Sequence, residues 1–332
     1  MLRRKFRETG PDVVILIGIT LLLTWTGAIL HPHLPADMGY DIKPMPLYGL
    51  LVSVTSFSPL FSVIVACLLV LLIAILLVNL NTSAFFISER NFFPALIYIL
   101  LSCYFPKFQI LNPALPAAPF LILGLRKIIE SYKVQGTAFS LFDAGLLIST
   151  GCLFYASLIW FGLLLIIGIA VLRTGSIKEI IISVLGLAAP LFIVYGFFYV
   201  SGKDMDSMMS AITYNLFTKD GKLTLQVLTL VVLIISGVTV LISVTQLLLA
   251  INSKKIKSRK TFIILLWAIL IVGGAAFLSD PVSAEIHWFA AIPASYFLTH
   301  YFVFSRRKLI PEIMLVALFM LTAVVQVANL FQ

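Results

Sequence analysis

The sequence predicts an all-α protein that crosses a membrane about eleven times. Of its 332 residues, 61% are hydrophobic and 11% are charged, whereas soluble domains are about half apolar and about a quarter charged. The mean hydropathy is +1.10, and apolar runs near the length of about 20 residues that spans a membrane recur along the chain. These observations exclude a water-soluble globule and predict one membrane domain over residues 1–332.

Eleven apolar segments account for the predicted spans. They are residues 13–30, 59–80, 92–105, 112–125, 138–155, 157–172, 180–200, 223–251, 261–278, 286–304 and 310–330. The third and fourth are short, and only Ala156 separates the fifth from the sixth. The first is too long for a secretory signal and lacks a small-residue cleavage site after Leu30, so we expect it to remain as an anchored helix.

The basic residues predict the orientation of these spans. With the N terminus inside, the basic segment 1–12 and all but five of the 23 Lys and Arg residues face the cytoplasm. The five exceptions are Lys43, Lys107, Lys203, Lys219 and Lys222. Because basic residues near helix ends resist translocation, the sequence predicts N-in and C-out. The net charge of +9 then indicates attraction to membrane lipids and no nucleic-acid partner.

Two outer loops are longer than the other connections, residues 31–58 and 201–222. The first is rich in proline and then apolar from Leu47 to Phe57, which is too short to span and predicts an interfacial or re-entrant helix. In the second, apolar residues recur at the spacing of one helical face: Met205, Met208, Met209, Ile212 and Leu216. This spacing predicts an amphipathic helix on the outer surface.

Asp143 is the one carboxylate predicted within or close to the hydrocarbon. A charge there costs several kcal/mol unless it is paired or hydrated, so Asp143 is a candidate intramembrane functional acid. The alternative is a structural role as a helix cap or as the partner of Arg126, Lys127 or Lys133.

The fourth span begins with three prolines, within residues 112–119. Together with the short third span, they indicate either helices broken around a polar cavity or a kinked hairpin packed in protein.

Asp37 and Asp41 follow the first span in the proline-rich outer loop. A carboxylate at this face is a candidate general base towards a sugar hydroxyl, or a ligand of a divalent cation that holds a diphosphate. The alternative is an ordinary solvated loop acid. A divalent cation is therefore the one candidate cofactor.

Histidines of the outer face do not predict a resident metal site. His31, His33 and His287 share that predicted face, and Asp280 and Glu285 are close to His287 in sequence. Their spacing builds no four-ligand set. Neither an ATPase motif nor a lipase-type serine motif occurs in the chain.

Two stretches resemble an uncharacterised family of inner-membrane proteins of Bacteroidota. They are residues 88–96 (SERNFFPAL) and residues 142–145 (FDAG), the latter with Phe-Tyr following at 154–155. The resemblance implies a multi-pass protein of the bacterial inner membrane and supplies no activity.

Residues 31–58 and 287–296 (HWFAAIPASY) are similar to the first outer loop and a late span of GT-C glycosyltransferases and lipid-linked glycan polymerases. The resemblance implies a cell-envelope enzyme that acts on a polyprenyl-linked sugar at the outer leaflet. Asp37 or Asp41 would serve as the base or metal ligand, with His287, Lys107 and Lys203 as phosphate contacts. Here the first loop has no Asp-x-Asp or Glu-x-Asp pair.

Two further functions stay open at this stage. A non-enzymatic scaffold, or a subunit bound to a membrane protein partner, would explain the small loops and sparse polar groups. A secondary transporter would explain Asp143 and the proline-broken spans, although no inverted repeat is visible.

Overall fold

A computed structural model describes residues 6, 10–38, 40, 43–84, 86–87, 91–132, 138–172, 177–202, 205–217, 227–278, 285–305 and 309–330. Within these ranges every regular element is a helix. The α-helices are α1 (Pro11–Leu30), α2 (Pro46–Thr55), α3 (Pro59–Ala84), α4 (Phe93–Ser102), α5 (Ala114–Glu130), α6 (Ala138–Cys152), α7 (Leu163–Leu172), α8 (Ile177–Val200), α9 (Met205–Phe217), α10 (Val227–Ala250), α11 (Ile256–Leu278), α12 (Ile286–Phe304) and α13 (Leu309–Leu330). Short 3₁₀ helices cover Pro35–Met38, Pro106–Phe108, Ala156–Gly162 and Ile251–Ser253.

Six helices of the described ranges are long and apolar enough to cross a membrane. They are Pro11–Leu30, Pro59–Ala84, Ile177–Val200, Val227–Ser253, Ile256–Ala276 and Leu309–Leu330. Shorter apolar helices cover parts of the third, fifth and sixth predicted spans. The coarse prediction of an all-α membrane protein therefore agrees with the structure, while the eleven crossings and their orientation stay predictions.

The two long predicted outer loops both contain a helix, α2 in the first and α9 in the second. In α9, Met208 and Leu216 are buried, whereas Met209 is 59% exposed. The predicted apolar face of α9 is thus only partly covered by the rest of the protein.

Helices α4 and α12 form the centre of the bundle. All ten residues of α4 are buried, and so are nearly all those of α12. The peripheral helix α8 is the opposite case, because only Ser183, Gly186 and Pro190 along its length are buried. Large exposed apolar faces of this kind are typical of surfaces that contact a membrane.

Helix α4 is too short to span a membrane, and it ends among buried residues beside the first turn of α12. Its ten residues extend about 15 Å, roughly half of the hydrocarbon layer. The chain then continues through the irregular segment 103–113, which is buried except near Pro106 and Lys107. Unpartnered backbone groups are costly in apolar surroundings, so this break has to be satisfied by other parts of the protein.

Side chains of α12 and α13 supply the missing partners. His287 Nε2 lies 2.8 Å from the carbonyl oxygen of Leu101, and Gln326 Nε2 donates to the carbonyl of Cys103 at 2.9 Å. Since a carbonyl only accepts, the proton of neutral His287 resides on Nε2. The break is therefore clamped by two helices that are distant in sequence.

After the break, the first N–H groups of α5 are capped by a side chain of the break itself. Asn112 Oδ1 accepts hydrogen bonds from the backbone N–H groups of Ala114 and Leu115, both at 3.1 Å. Gln109 Nε2 donates to the carbonyl of Thr24 in α1 at 3.0 Å. Residues 112–119 are buried throughout, which favours the kinked hairpin packed in protein over helices broken around an open cavity.

The two ends of the bundle differ in character. At one end, Ser258 at the start of α11 donates to the carbonyl of Phe86 after α3, and Lys260 donates to that of Leu172 at the end of α7. We call this the basic end. At the opposite end, which we call the loop end, Tyr48 of α2 donates to the carbonyl of Leu111.

Helices α6 and α8 pack closely because two glycines face each other's backbones. A Cβ added at Gly145 would collide with the carbonyl oxygen of Ser183, and one added at Gly186 would collide with that of Phe142. Small residues allow this close approach between membrane helices, where van der Waals packing drives association.

Substitution of Gly186 tests this packing. We expect Gly186→Ala to destabilise the fold by about 1–3 kcal/mol, because the added methyl overpacks the α6–α8 contact. Gly196→Ala in the same helix is the matched control, since a Cβ there meets nothing within 4 Å. Thermal unfolding of the purified protein would contradict the packing if the two variants had equal midpoints.

Candidate functional site

The first long loop folds onto the buried break at the loop end. The Tyr48 hydroxyl donates to the carbonyl of Leu111 at 2.8 Å, and the N–H of Leu47 donates to that of Leu153 at 3.1 Å. The ring of Tyr40 lies 6.4 Å from that of Phe108. Residues that follow the 3₁₀ helix Pro35–Met38 are thereby brought against segment 103–113 and against Leu153.

Glu285 is the one Asp, Glu, Lys or Arg residue among the described residues whose side chain is buried. It directly precedes α12, is 6% exposed, and its Oε2 makes no hydrogen bond within the described part of the chain. Burial raises the pKa of the Glu285 carboxyl to about 8, and interaction with the Tyr40 hydroxyl partly offsets that increase. A carboxyl with a pKa near neutrality can both release and accept a proton at physiological pH.

The Tyr40 hydroxyl lies next to this carboxyl. Burial, followed by repulsion from Glu285, Tyr48 and Tyr155, raises the pKa of Tyr40 well above its ordinary value. Tyr40 therefore remains a neutral phenol beside Glu285 and can donate a hydrogen bond. Strongly perturbed acids with specific neighbours are concentrated at functional sites, so Glu285 and Tyr40 define the candidate site.

His287 has a structural contact in this arrangement. Its Nε2 is engaged by the carbonyl of Leu101, and its ring lies 5.9 Å from Tyr104 and 5.2 Å from Phe105. Only Nδ1 is left to accept a hydrogen bond. His287 thus holds the break in place, and its predicted contact with substrate phosphate stays a prediction.

The other residues predicted for the outer face are only partly described. The backbone of Asp37 lies in the 3₁₀ helix Pro35–Met38, while its side chain, Asp41 and Lys203 lie outside the described residues. Lys107 is exposed in the 3₁₀ helix Pro106–Phe108. The structure therefore brings Lys107 and His287 to the loop end, together with the loop that carries Asp37.

Asp143 lies away from this site. Its carboxylate accepts a hydrogen bond from Lys127 Nζ at 2.8 Å, and the two side chains are 46% and 41% exposed. The pair joins α5 to α6 near the start of α6, whereas Leu153, which contacts the first loop, follows the end of that helix. Lys127 is one of the partners that the sequence offered for Asp143.

Glu285 and Tyr40 were not among the residues that the sequence predicted as functional. In the sequence, Glu285 is only a neighbour of His287, and Tyr40 is one residue of the proline-rich loop 31–58. The one signal in the sequence is an acid immediately before a late apolar segment, and it does not reveal whether the carboxylate is buried.

The described residues do not fit a divalent-cation site. Across the described ranges, no group of three His, Cys, Asp or Glu residues is placed to hold a metal ion. Near Glu285 the structure places the Tyr40 hydroxyl, and a neutral phenol is a poor ligand for Mg²⁺ or Ca²⁺. We derive no step through a cation.

Comparison with protein families, with curated proteins and with solved structures gives no match to this chain.

The raised pKa of Glu285 predicts a pH-dependent stability. Between about pH 4.5, the ordinary pKa of a glutamate, and about pH 8 the folded protein holds a proton that the unfolded chain releases. The free energy of unfolding contributed by this group therefore falls as the pH rises through that range. As the pH rises from about 4.5 to about 8, we expect the thermal midpoint of the wild type to fall more steeply than that of Glu285→Gln. Parallel profiles of midpoint against pH would contradict the raised pKa of Glu285.

A double-mutant cycle with Lys127→Met and Asp143→Asn measures the interaction energy of the Lys127–Asp143 pair. Because both side chains are partly exposed, we expect a coupling energy of about 0.2–1 kcal/mol. Chemical unfolding of the four proteins measures it. A coupling several times larger would contradict this expectation and would indicate a desolvated pair.

Proposed function

We propose that this chain is a multi-pass inner-membrane protein of cell-envelope biogenesis that acts as a GT-C-like enzyme on a polyprenyl-linked sugar at the outer leaflet. The observation that carries the proposal is the Glu285 carboxyl, which is buried beside Tyr40 of the first long loop. With eleven spans and the N terminus inside, the loop end would be the outer face. Lys260 and Ser258 make their hydrogen bonds at the other end of the bundle. A basic residue at that end supports its assignment to the cytoplasmic side.

Glycosyl transfer needs a group that removes the proton from the attacking hydroxyl. In its ionised form, Glu285 would accept this proton, and a pKa near 8 matches the strength of a base that works close to neutral pH. Tyr40 would donate a hydrogen bond to the same carboxylate and orient it. The low polarity of the site strengthens both interactions.

Residues of the surrounding loops complete the proposed site. Asp37 and Asp41 remain candidates for the base, or for ligands of a divalent cation. Lys107, which is exposed at the loop end, and Lys203 would contact the diphosphate of the lipid-linked donor. An ammonium group placed near a leaving phosphate stabilises the negative charge that develops there.

Replacement of the carboxylates tests the proposal. We expect Glu285→Gln to lower transfer at least 100-fold, the lower range for loss of a general base. The double variant Asp37→Asn with Asp41→Asn is the test of the alternative base, and it should show this loss in place of Glu285→Gln where one of those two acids removes the proton. The measurement is incorporation of radiolabelled hexose from polyprenyl-phosphate donors into lipid-linked glycan by purified protein in lipid.

Glu130→Gln is the matched control, because Glu130 is partly exposed and pairs with Arg126 at 2.8 Å away from the loop end. It should retain wild-type transfer. The enzyme proposal fails if the Glu285 variant and the double variant both fold and retain full transfer.

A scaffold for an envelope assembly is the second candidate. It is favoured by the filled centre of the bundle, where every residue of α4 is buried, and by the exposed apolar face of α8. A partner that copurifies in native lipid and protects α8 from cross-linking would support it. The transporter alternative is the least favoured, since Asp143 is paired with Lys127.

A further inference from the structure

A second polar region lies at the basic end, away from Glu285. A cavity of about 520 Å³ opens between α10, α12 and α13. Its polar lining groups are Gln246, Ser253, Lys254, His300, Tyr301 and Ser305. This volume falls within the roughly 300–1,000 Å³ of typical small-ligand sites, and such sites occur between the helices of bundles.

The positive charge of the cavity comes from Lys254, which lies between α10 and α11. Its Nζ is 4.2 Å from the centre of the Phe304 ring, a distance typical of cation–π contacts. Desolvation lowers the pKa of Lys254. No salt bridge to Lys254 occurs within the part of the chain that the structure describes.

His300 provides the buried polar atom of the same cavity. The residue is 6% exposed, and its ring lies between those of Phe262 and Phe304, at 5.3 and 5.0 Å. Its Nε2 has no hydrogen-bond partner in the described ranges. Buried polar atoms are normally satisfied, so an unpartnered nitrogen at a cavity wall indicates a ligand or ordered water.

Among the described residues that line the cavity, none carries a carboxylate. Glu312, in the first turn of α13, has an interaction of its own. One ammonium, one imidazole, the Gln246 amide and the Tyr301 hydroxyl therefore border a space that no described carboxylate lines. This combination favours an anion with several acceptor oxygens.

We propose that this cavity binds a phosphoryl group. Lys254 neutralises its charge, and the Nε2–H of His300 donates a hydrogen bond to one of its oxygens. The group could belong to the headgroup of an anionic lipid or to free phosphate. Basic pockets between membrane helices commonly hold lipid headgroups, and this binding is independent of the glycosyl-transfer proposal.

Calorimetric titration tests the site with the full chain in phosphatidylcholine nanodiscs. One arm adds inorganic phosphate and the other adds short-chain phosphatidylglycerol. We expect Lys254→Gln to weaken binding at least tenfold, which corresponds to about 1.4 kcal/mol. Lys255→Gln, which removes the same charge from the exposed neighbouring residue, should change affinity less than about twofold.

The two arms also identify the source of the phosphoryl group. Saturable binding of phosphatidylglycerol alone assigns the cavity to a lipid headgroup, and saturable binding of inorganic phosphate assigns it to the free anion. The proposal is overturned if the wild type binds neither probe, or if both lysine variants weaken binding equally, as a diffuse surface charge would.

A His300→Phe variant separates a direct contact from a general charge effect. It keeps a ring between Phe262 and Phe304 but removes the Nε2 donor. We expect weaker binding of the phosphoryl probe with an unchanged thermal midpoint. Unchanged affinity in a folded His300→Phe protein would contradict the role given to Nε2.

Discussion

The break after α4 imposes the constraint on which the rest of this structure depends. A helix that ends inside an apolar bundle leaves backbone carbonyls that neither lipid nor its own next turn can satisfy. His287 of α12 and Gln326 of α13 donate hydrogen bonds to two such carbonyls, those of Leu101 and Cys103, at 2.8 and 2.9 Å. The Thr322 hydroxyl donates to the carbonyl of Leu318 in its own helix at 2.9 Å and lies 3.4 Å from that of Leu100. These contacts fix the two last helices against the centre.

The candidate site at the loop end follows from the same clamp. Because His287 is tied to α4, the start of α12 is fixed, and Glu285 lies two residues before that anchor. The buried segment 103–113 presents Phe108 to the ring of Tyr40 and thus positions the first loop beside the carboxyl. The Glu285 carboxyl is buried at this position, and burial raises its pKa.

Much of the architecture was predictable from local sequence, whereas the site was not. Apolar runs located the long helices, the short third span and the prolines of 112–119 indicated a break, and the periodicity of 205–216 predicted α9. The contacts that matter most join residues 186 and 223 positions apart, and helical periodicity carries no information about such pairs. For that reason the sequence reveals neither the contact of His287 with Leu101 nor the burial of Glu285.

Hydrogen–deuterium exchange of segment 103–113 in the purified protein tests the clamped break most directly. The segment is irregular and contains the exposed Lys107, yet most of its residues are buried and several of its amides are hydrogen-bonded. We expect its amides to exchange nearly as slowly as those of α4 and α5, because opening requires release of the clamp. Exchange as fast as that of an exposed surface loop would contradict the account.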